Sequence, residues 1–320
     1  MPVTNSVQIV PAGKLVYGLQ LPVAAQSKVF AAPWEADAGA PEILRIAQAC
    51  DRGGFFYLAV SDHVCVTRDA AAAMSTVWYD TIATLGYLAA ATRNVRLLSY
   101  VFVLPYRHPL MTAKAFMTLD ALSGGRVILG AGAGHLRGEF ETLGVDFDKR
   151  GRLLDEALDV VTKAFLEEYP EHDGPTWSVR DRGLKPRPLQ QPRPPIWIGG
   201  STPGALRRAA RRGDGWLPQG VPEMGMEKAI AFIREERERS RGGAPIELGM
   251  NSPWLYVGTP SFDLGPNSLS GSPEAIAAEL RQKKDLGIVH MGVRFRSRSC
   301  DELIEQIDLF GSRVGPLLND

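Results

Sequence analysis

Residues 95–134, VRLLSYVFVLPYRHPLMTAKAFMTLDALSGGRVILGAGAG, contain one complete strand, helix, strand unit with both junctions intact. Val95 to Val103 is a β-branched and aromatic run, suited to a strand buried on both faces, as in a parallel sheet. Leu104 to His108 is a turn, and Pro109 stands where a helix begins, because its fixed φ suits the first helical position and its missing N–H is not needed there. Leu110, Ala113, Phe116 or Met117, and Leu119 or Ala121 follow at helical spacing until Ser123-Gly124-Gly125. A second strand from Arg126 to Gly130 runs into glycines at 130, 132 and 134, which strip one face of side chains. Something must therefore pack close to that backbone.

The same grammar repeats outward in both directions. Leu15 to Leu21 and Phe55 to Val60 read as the first two strands, and the unit above supplies the third and fourth. Pro195 to Gly199, Gly215 to Leu217, Ile246 to Val257 and Ile288 to Phe295 supply the rest. Helices fall between them, one carrying Ile43, Ile46, Ala47 and Cys50, others over about 80–92 and 223–240, and one entered through Ser272-Pro273. Eight such alternations in 320 residues predict a (β/α)8 TIM barrel formed by one domain over 1–320, with a doubly wound open sheet as the alternative. Tyr169 to Pro194, rich in Pro and Arg, reads as an insertion between the fourth and fifth strands.

Composition narrows the partners. Thirty-six basic residues balance thirty-six acidic ones, so net charge gives no reason to expect nucleic acid or an anionic membrane. The cluster Arg207, Arg208, Arg211, Arg212 reads as a solvated helix face. With no apolar run near the roughly 20 residues that cross a bilayer, and no secretory pattern at the N-terminus, a cytoplasmic protein is expected. Cys50, Cys65 and Cys300, odd in number and far apart, suggest reduced thiols rather than disulfides or a metal site.

In a barrel of this kind, chemistry is assembled just beyond the C-terminal ends of the strands. Those positions hold Ser61-Asp62-His63, Trp78-Tyr79-Asp80, Ser99-Tyr100, Tyr106-Arg107-His108, the glycine series with His135, and Gly199-Gly200-Ser201-Thr202-Pro203. The last is a strand end leading into a capped helix, and its free N–H groups and two hydroxyls suit an anion. Ordinary roles stand beside these: Asp80 as an N-cap, Asp62 as a cap or bridge, Tyr106 and Arg107 in packing and surface pairing, and the glycines in close packing. The glycine spacing does not match a dinucleotide fingerprint.

Taken together, SDH at 61–63, WYD at 78–80, LPYRHPLMTAKAFMTLDALSGGRVILGAGAG at 104–134 and PPIWIGGSTPGALRRAARRGDGW at 194–216 resemble the luciferase-like monooxygenase superfamily. So do GSPEAIAAELRQKKDLGI and DELIEQIDLFG near the C-terminus. The pattern is most similar to members that use the deazaflavin coenzyme F-420. The resemblance implies a coenzyme ring at the barrel mouth over a bulge with a non-proline cis peptide at Ser99-Tyr100. It also implies pocket-lining roles for Asp62 and His63, coenzyme-bordering backbone at Gly132 and Ala133, and a coenzyme phosphate loop at Gly199, Gly200, Ser201 and Thr202. A related sugar-phosphate dehydrogenase has a catalytic Glu where this chain has His135, so that substrate does not carry over.

The expected activity is hydride transfer between F-420 and a small organic substrate, with His63 as general acid or base, Asp62 tuning it and His135 second. The alternative is an FMN-dependent monooxygenase served by a separate reductase, and a third reading is a coenzyme-binding protein without catalysis. A Schiff-base aldolase lacks its Lys at a strand end. A homodimer is expected, with no metal.

Overall fold

The computed structural model describes residues 6–320. Its strands are β1 (Val16–Gln20), β2 (Tyr57–Val60), β3 (Arg96–Ser99), β4 (Phe102–Val103), β5 (Val127–Gly132), β6 (His172–Asp173), β7 (Ser178–Val179), β8 (Ile196–Gly199), β9 (Gly215–Leu217), β10 (Glu247–Val257), β11 (Ser268–Gly271) and β12 (Ile288–Phe295). Its helices are α1 (Ala40–Arg52), α2 (Arg68–Met74), α3 (Thr81–Ala91), α4 (Pro109–Ser123), α5 (Arg137–Thr142), α6 (Arg150–Leu166), α7 (Pro203–Arg212), α8 (Met226–Arg241), α9 (Pro273–Arg281) and α10 (Cys300–Leu309).

Parallel pairing runs β1-β2-β3-β5-β8-β9-β10-β12 and returns to β1, closing an eight-stranded (β/α)8 barrel. The open-sheet alternative is thereby excluded. Closure is possible because β2, β5, β8 and β9 are buried at every residue, one face inward and the other under helices. Residues 167–195, between α6 and β8, carry the small antiparallel β6-β7 pair. The helix starts follow the local chemistry. Asp80 Oδ1 accepts from Ala83 N at 2.8 Å, Ser272 Oγ from Ala275 N at 3.3 Å, and His108 Nδ1 from Leu110 N at 3.2 Å just before Pro109.

The N-terminal end of the barrel is closed by polar groups that satisfy one another. Asp214, fully buried, accepts both guanidinium nitrogens of Arg193 (2.6 and 3.0 Å) and the amides of Val7 and Ile196. Glu247 accepts from Ile9 N, Val10 N and Trp197 Nε1. Above them His290 stacks on Trp197, with centroids 4.2 Å apart and planes 14° apart, and faces Trp216 O across 3.1 Å. Burial drives the His290 pKa down to about 3, so this ring is a neutral core residue. Among the described residues no helix is long and apolar enough to cross a membrane.

Candidate active site

The third predicted strand is interrupted. Pairing holds from Arg96 to Ser99, where Ser99 is in register with Val60, then breaks and resumes at Phe102 and Val103 beside β5. The non-proline cis peptide is Tyr100–Val101, one bond beyond the expected Ser99-Tyr100. Ser99 stays in the ladder because its hydroxyl donates to Gly130 O at 2.9 Å and accepts from Gly130 N at 3.0 Å. Tyr100 turns inward and its hydroxyl donates to Pro218 O, while Asn251 Nδ2 reaches that hydroxyl at 3.3 Å. Burial raises the Tyr100 pKa, so it is a neutral phenol.

What packs against the glycines is largely this same segment. A Cβ on Gly132 would lie 2.3 Å from Val101 Cγ2, one on Gly199 would lie 2.2 Å from Val101 Cγ1, and one on Gly130 would lie 1.9 Å from Ser99 O. Gly132 and Gly199 are thus the two sides of a slot filled by Val101, which forms a ledge at the barrel mouth. Ala133 packs on the main core. At the start of α7, Ser201 Oγ donates to Gly220 O and accepts from Gln219 N, and Thr202 Oγ1 caps Ala205 N. Both hydroxyls of the expected anion loop are therefore engaged by protein, Ser201 as donor and acceptor and Thr202 as acceptor. The position of a Gly204 Cβ has no neighbour within 4 Å, so the opening turn of α7 is uncovered, and Gly200 (φ +113°) leads the chain into it.

Past β2, the two residues of the expected Asp62-His63 pair part company. Asp62, 4% exposed, accepts Arg107 in a bidentate pair (2.7 and 3.1 Å) and Val103 N at 2.9 Å. It is the bridge of the ordinary reading, tying β2 to the resumed strand, and the structure does not bring it to the imidazole. His63 Nδ1 instead faces Glu139 Oε2 at 3.0 Å. Glu139, only 1% exposed, also accepts from Tyr106 OH (2.6 Å), Val64 N (2.5 Å) and Cys65 N (3.2 Å). Burial pushes its pKa up, but hydrogen bonds from His63 and Tyr106, the His63 charge and the Val64 amide outweigh this, and the carboxyl sits below its ordinary value.

A carboxylate can only accept, so Nδ1 carries the proton of a neutral His63 and Nε2 holds the free lone pair. Nε2 has no protein hydrogen-bond partner among the described residues. The ring is held edge-on by Trp78 at 4.4 Å and His135 at 5.4 Å between centroids. His135 lies at the rim with a pKa pushed down, first by loss of solvent and then by His63. Sequence reading missed Glu139. It sits on α5, whose six residues are too few to show periodicity, and nothing local marks the carboxylate that turns inward.

The chain matches the luciferase-like monooxygenase family over residues 23–259. It belongs to that family. An FMNH(2)-dependent dimethylsulfone monooxygenase of Pseudomonas putida is 27% identical over 211 residues, covering 65% of this chain and 56% of that protein. An F-420-dependent glucose-6-phosphate dehydrogenase of Microbacterium testaceum is 31% identical over 202 residues, covering 61% of this chain and 58% of that protein. The chain thus spans little more than half the length of the curated relatives it matches. An F-420-dependent secondary alcohol dehydrogenase, solved with an F-420–acetone adduct, shares the fold with a TM-score of 0.74 at 19% identity, covering 96% of this chain and all of that one. The family is one of oxidoreductases and monooxygenases, and its members use either F-420 or a flavin.

Proposed function

We propose that this family member transfers a hydride between coenzyme F-420 and a small organic substrate at the barrel mouth, with His63 giving or taking the accompanying proton. When bound, the deazaflavin supplies hydride chemistry without the oxygen adduct that a flavin forms. Two features fit a planar ring with an anionic tail: the Val101 ledge between Gly132 and Gly199, and the uncovered first turn of α7. Tyr100, Gly132, Ala133 and Gly199 through Thr202 would border the coenzyme, with Ser99 holding the break beneath it.

The observation that carries the reading is the His63–Glu139 pair. A buried carboxylate at 3.0 Å fixes the tautomer and orientation of His63, leaving Nε2 as a directed proton acceptor from a hydroxyl or, once protonated, a donor to a developing alkoxide. Tyr106 and the Val64 and Cys65 amides hold the carboxylate in turn. Asp62 acts at one remove, by positioning Val103 and Arg107. Hydride transfer to or from an alcohol carbon needs such a proton partner.

The FMN-dependent monooxygenase reading is the second, favoured by the match to the dimethylsulfone enzyme. Anaerobic assays with F-420 and a panel of small alcohols and ketones separate the two. The proposal predicts turnover without dioxygen, reduced about 10²- to 10⁴-fold in His63→Ala with coenzyme binding retained. Turnover that requires FMNH2 and dioxygen would overturn it.

A further inference from the structure

On β12, residues His290 and Gly292 face the barrel interior. His290 lies on Trp197, and a Cβ on Gly292 would lie 2.6 Å from Asn251 Oδ1 and 3.7 Å from Tyr57 OH. Met291, Val293 and Phe295 enter the core beneath the helices. Arg294 continues the inward column one step nearer the mouth, and Arg296 follows with the same alternation. Both are half-buried. Arg296 Cζ lies 4.0 Å from the centre of the Trp254 ring, and Arg294 Cζ lies 5.6 Å from that ring and 5.2 Å from Phe30.

Among the described residues neither side chain has an ion-pair or hydrogen-bond partner, and Arg296 Nε is buried without one. Other buried guanidiniums each have a partner, although Arg193 Nε is, like Arg296 Nε, itself unpaired. Arg193 has Asp214, Arg107 has Asp62, and Arg126 and Arg237 are held by backbone carbonyls. Two adjacent guanidiniums lacking a counter-charge repel each other and lose hydration, a cost that a bound anion removes. The two buried carboxylates past β2 and on α5, Asp62 and Glu139, are engaged elsewhere, and among the described residues no carboxylate pairs with either arginine.

We propose that Arg294 and Arg296 bind the carboxylate of the substrate, making this an enzyme of small organic acids; this rests on the barrel mouth being the reaction site. The rings occupy the guanidinium faces and leave the N–H edges, whose planar fork matches a carboxylate. The coenzyme phosphate is the other conceivable anion. Its expected place, the start of α7 after β8, is three strands round the barrel from β12, which favours the substrate.

The test uses benzoate and its neutral isostere benzamide as probes, titrated by calorimetry into the full chain with and without coenzyme. Benzoate is expected to bind about tenfold tighter than benzamide, and Arg294→Gln and Arg296→Gln each to weaken benzoate alone by about tenfold, the size of one charged hydrogen-bonded contact. Arg294→Lys, which keeps the charge, should restore part of the loss and so exclude misfolding as its cause. Equal binding of the two probes, absence of benzoate binding, or benzoate affinity unchanged in both Gln variants would overturn the proposal. Loss of coenzyme affinity in place of benzoate affinity would also overturn it and assign the arginines to the coenzyme. No turnover is read, so a failure of the F-420 assignment leaves the result intact.

Discussion

Glu139→Gln keeps the side-chain volume, removes one charge and turns an acceptor into a donor. In the wild type Oε1 serves the Val64 and Cys65 amides, and Oε2 serves Tyr106 OH at 2.6 Å and His63 Nδ1 at 3.0 Å. The amide oxygen of Gln can retain the two backbone donors. Its NH2 group then faces Tyr106, whose hydroxyl can rotate to accept, and His63 Nδ1, which keeps a hydrogen bond only by losing its proton. The imidazole must adopt the other tautomer, with Nε2 protonated. All four charge-assisted bonds become neutral ones, each weaker by about 1 kcal/mol, and relief of the buried charge's desolvation offsets part of this, so stability at pH 7 should fall by about 2 kcal/mol. Turnover should fall about 10²- to 10⁴-fold with coenzyme affinity nearly unchanged. Because the Glu139 pKa is lowered on folding, its stabilisation is present above the ordinary Glu value of ~4.3 and is lost as pH falls through the lower folded value. The gap between the urea midpoints of the two proteins should therefore narrow progressively as pH falls below about 4. A variant with wild-type turnover, or a stability gap unchanged down to pH 3, would refute the assignment of Glu139 as the residue that orders His63.

Other perturbations follow from the same geometry. His290 is neutral with a pKa near 3, so below ~6.5 the unfolded state takes up the proton first and stability falls by ~1.36 kcal/mol per pH unit. His290→Gln, able to keep a donor to Trp216 O, should shrink the loss between pH 6.5 and 5 by about 2 kcal/mol in urea titrations, and parallel curves would refute this. Gly132→Ala would drive a methyl to within 2.3 Å of Val101, and is expected to lose about 1–3 kcal/mol and to weaken coenzyme binding. Gly86→Ala, on α3 with no neighbour within 4 Å, should gain roughly 0.5–1 kcal/mol, and thermal melts in which both shift alike would contradict the slot.

The barrel was legible because its strands are short buried runs punctuated by Gly and Pro, and β9 and β12 fall where the pattern places them. The break in the third strand was not, since Tyr100 and Val101 are as β-prone as their neighbours, and the position of the turn depends on Val101 entering a slot built by Gly132 and Gly199. The short α2 and α5 and the β6-β7 pair also escaped, as each has too few residues to show a period. At the site, His63 was visible as chemistry at a strand end. Its partner was not. The adjacent Asp62 is the obvious choice from sequence, yet successive residues leaving a strand point to opposite sides, and the carboxylate that reaches the ring comes from 76 positions away. Ser201 and Thr202 likewise advertise hydroxyls that the loop uses for its own turn and cap.

If the Val101 ledge and the His63–Glu139 pair serve a deazaflavin, the preference should show in coenzyme binding alone. Fluorescence-quenching titration of the full chain with F-420 and with FMN under identical conditions tests it most directly. Saturable F-420 binding at least about tenfold tighter than FMN binding is expected, a difference of about 1.4 kcal/mol. Tighter binding of FMN, or FMN carried through purification, would contradict it.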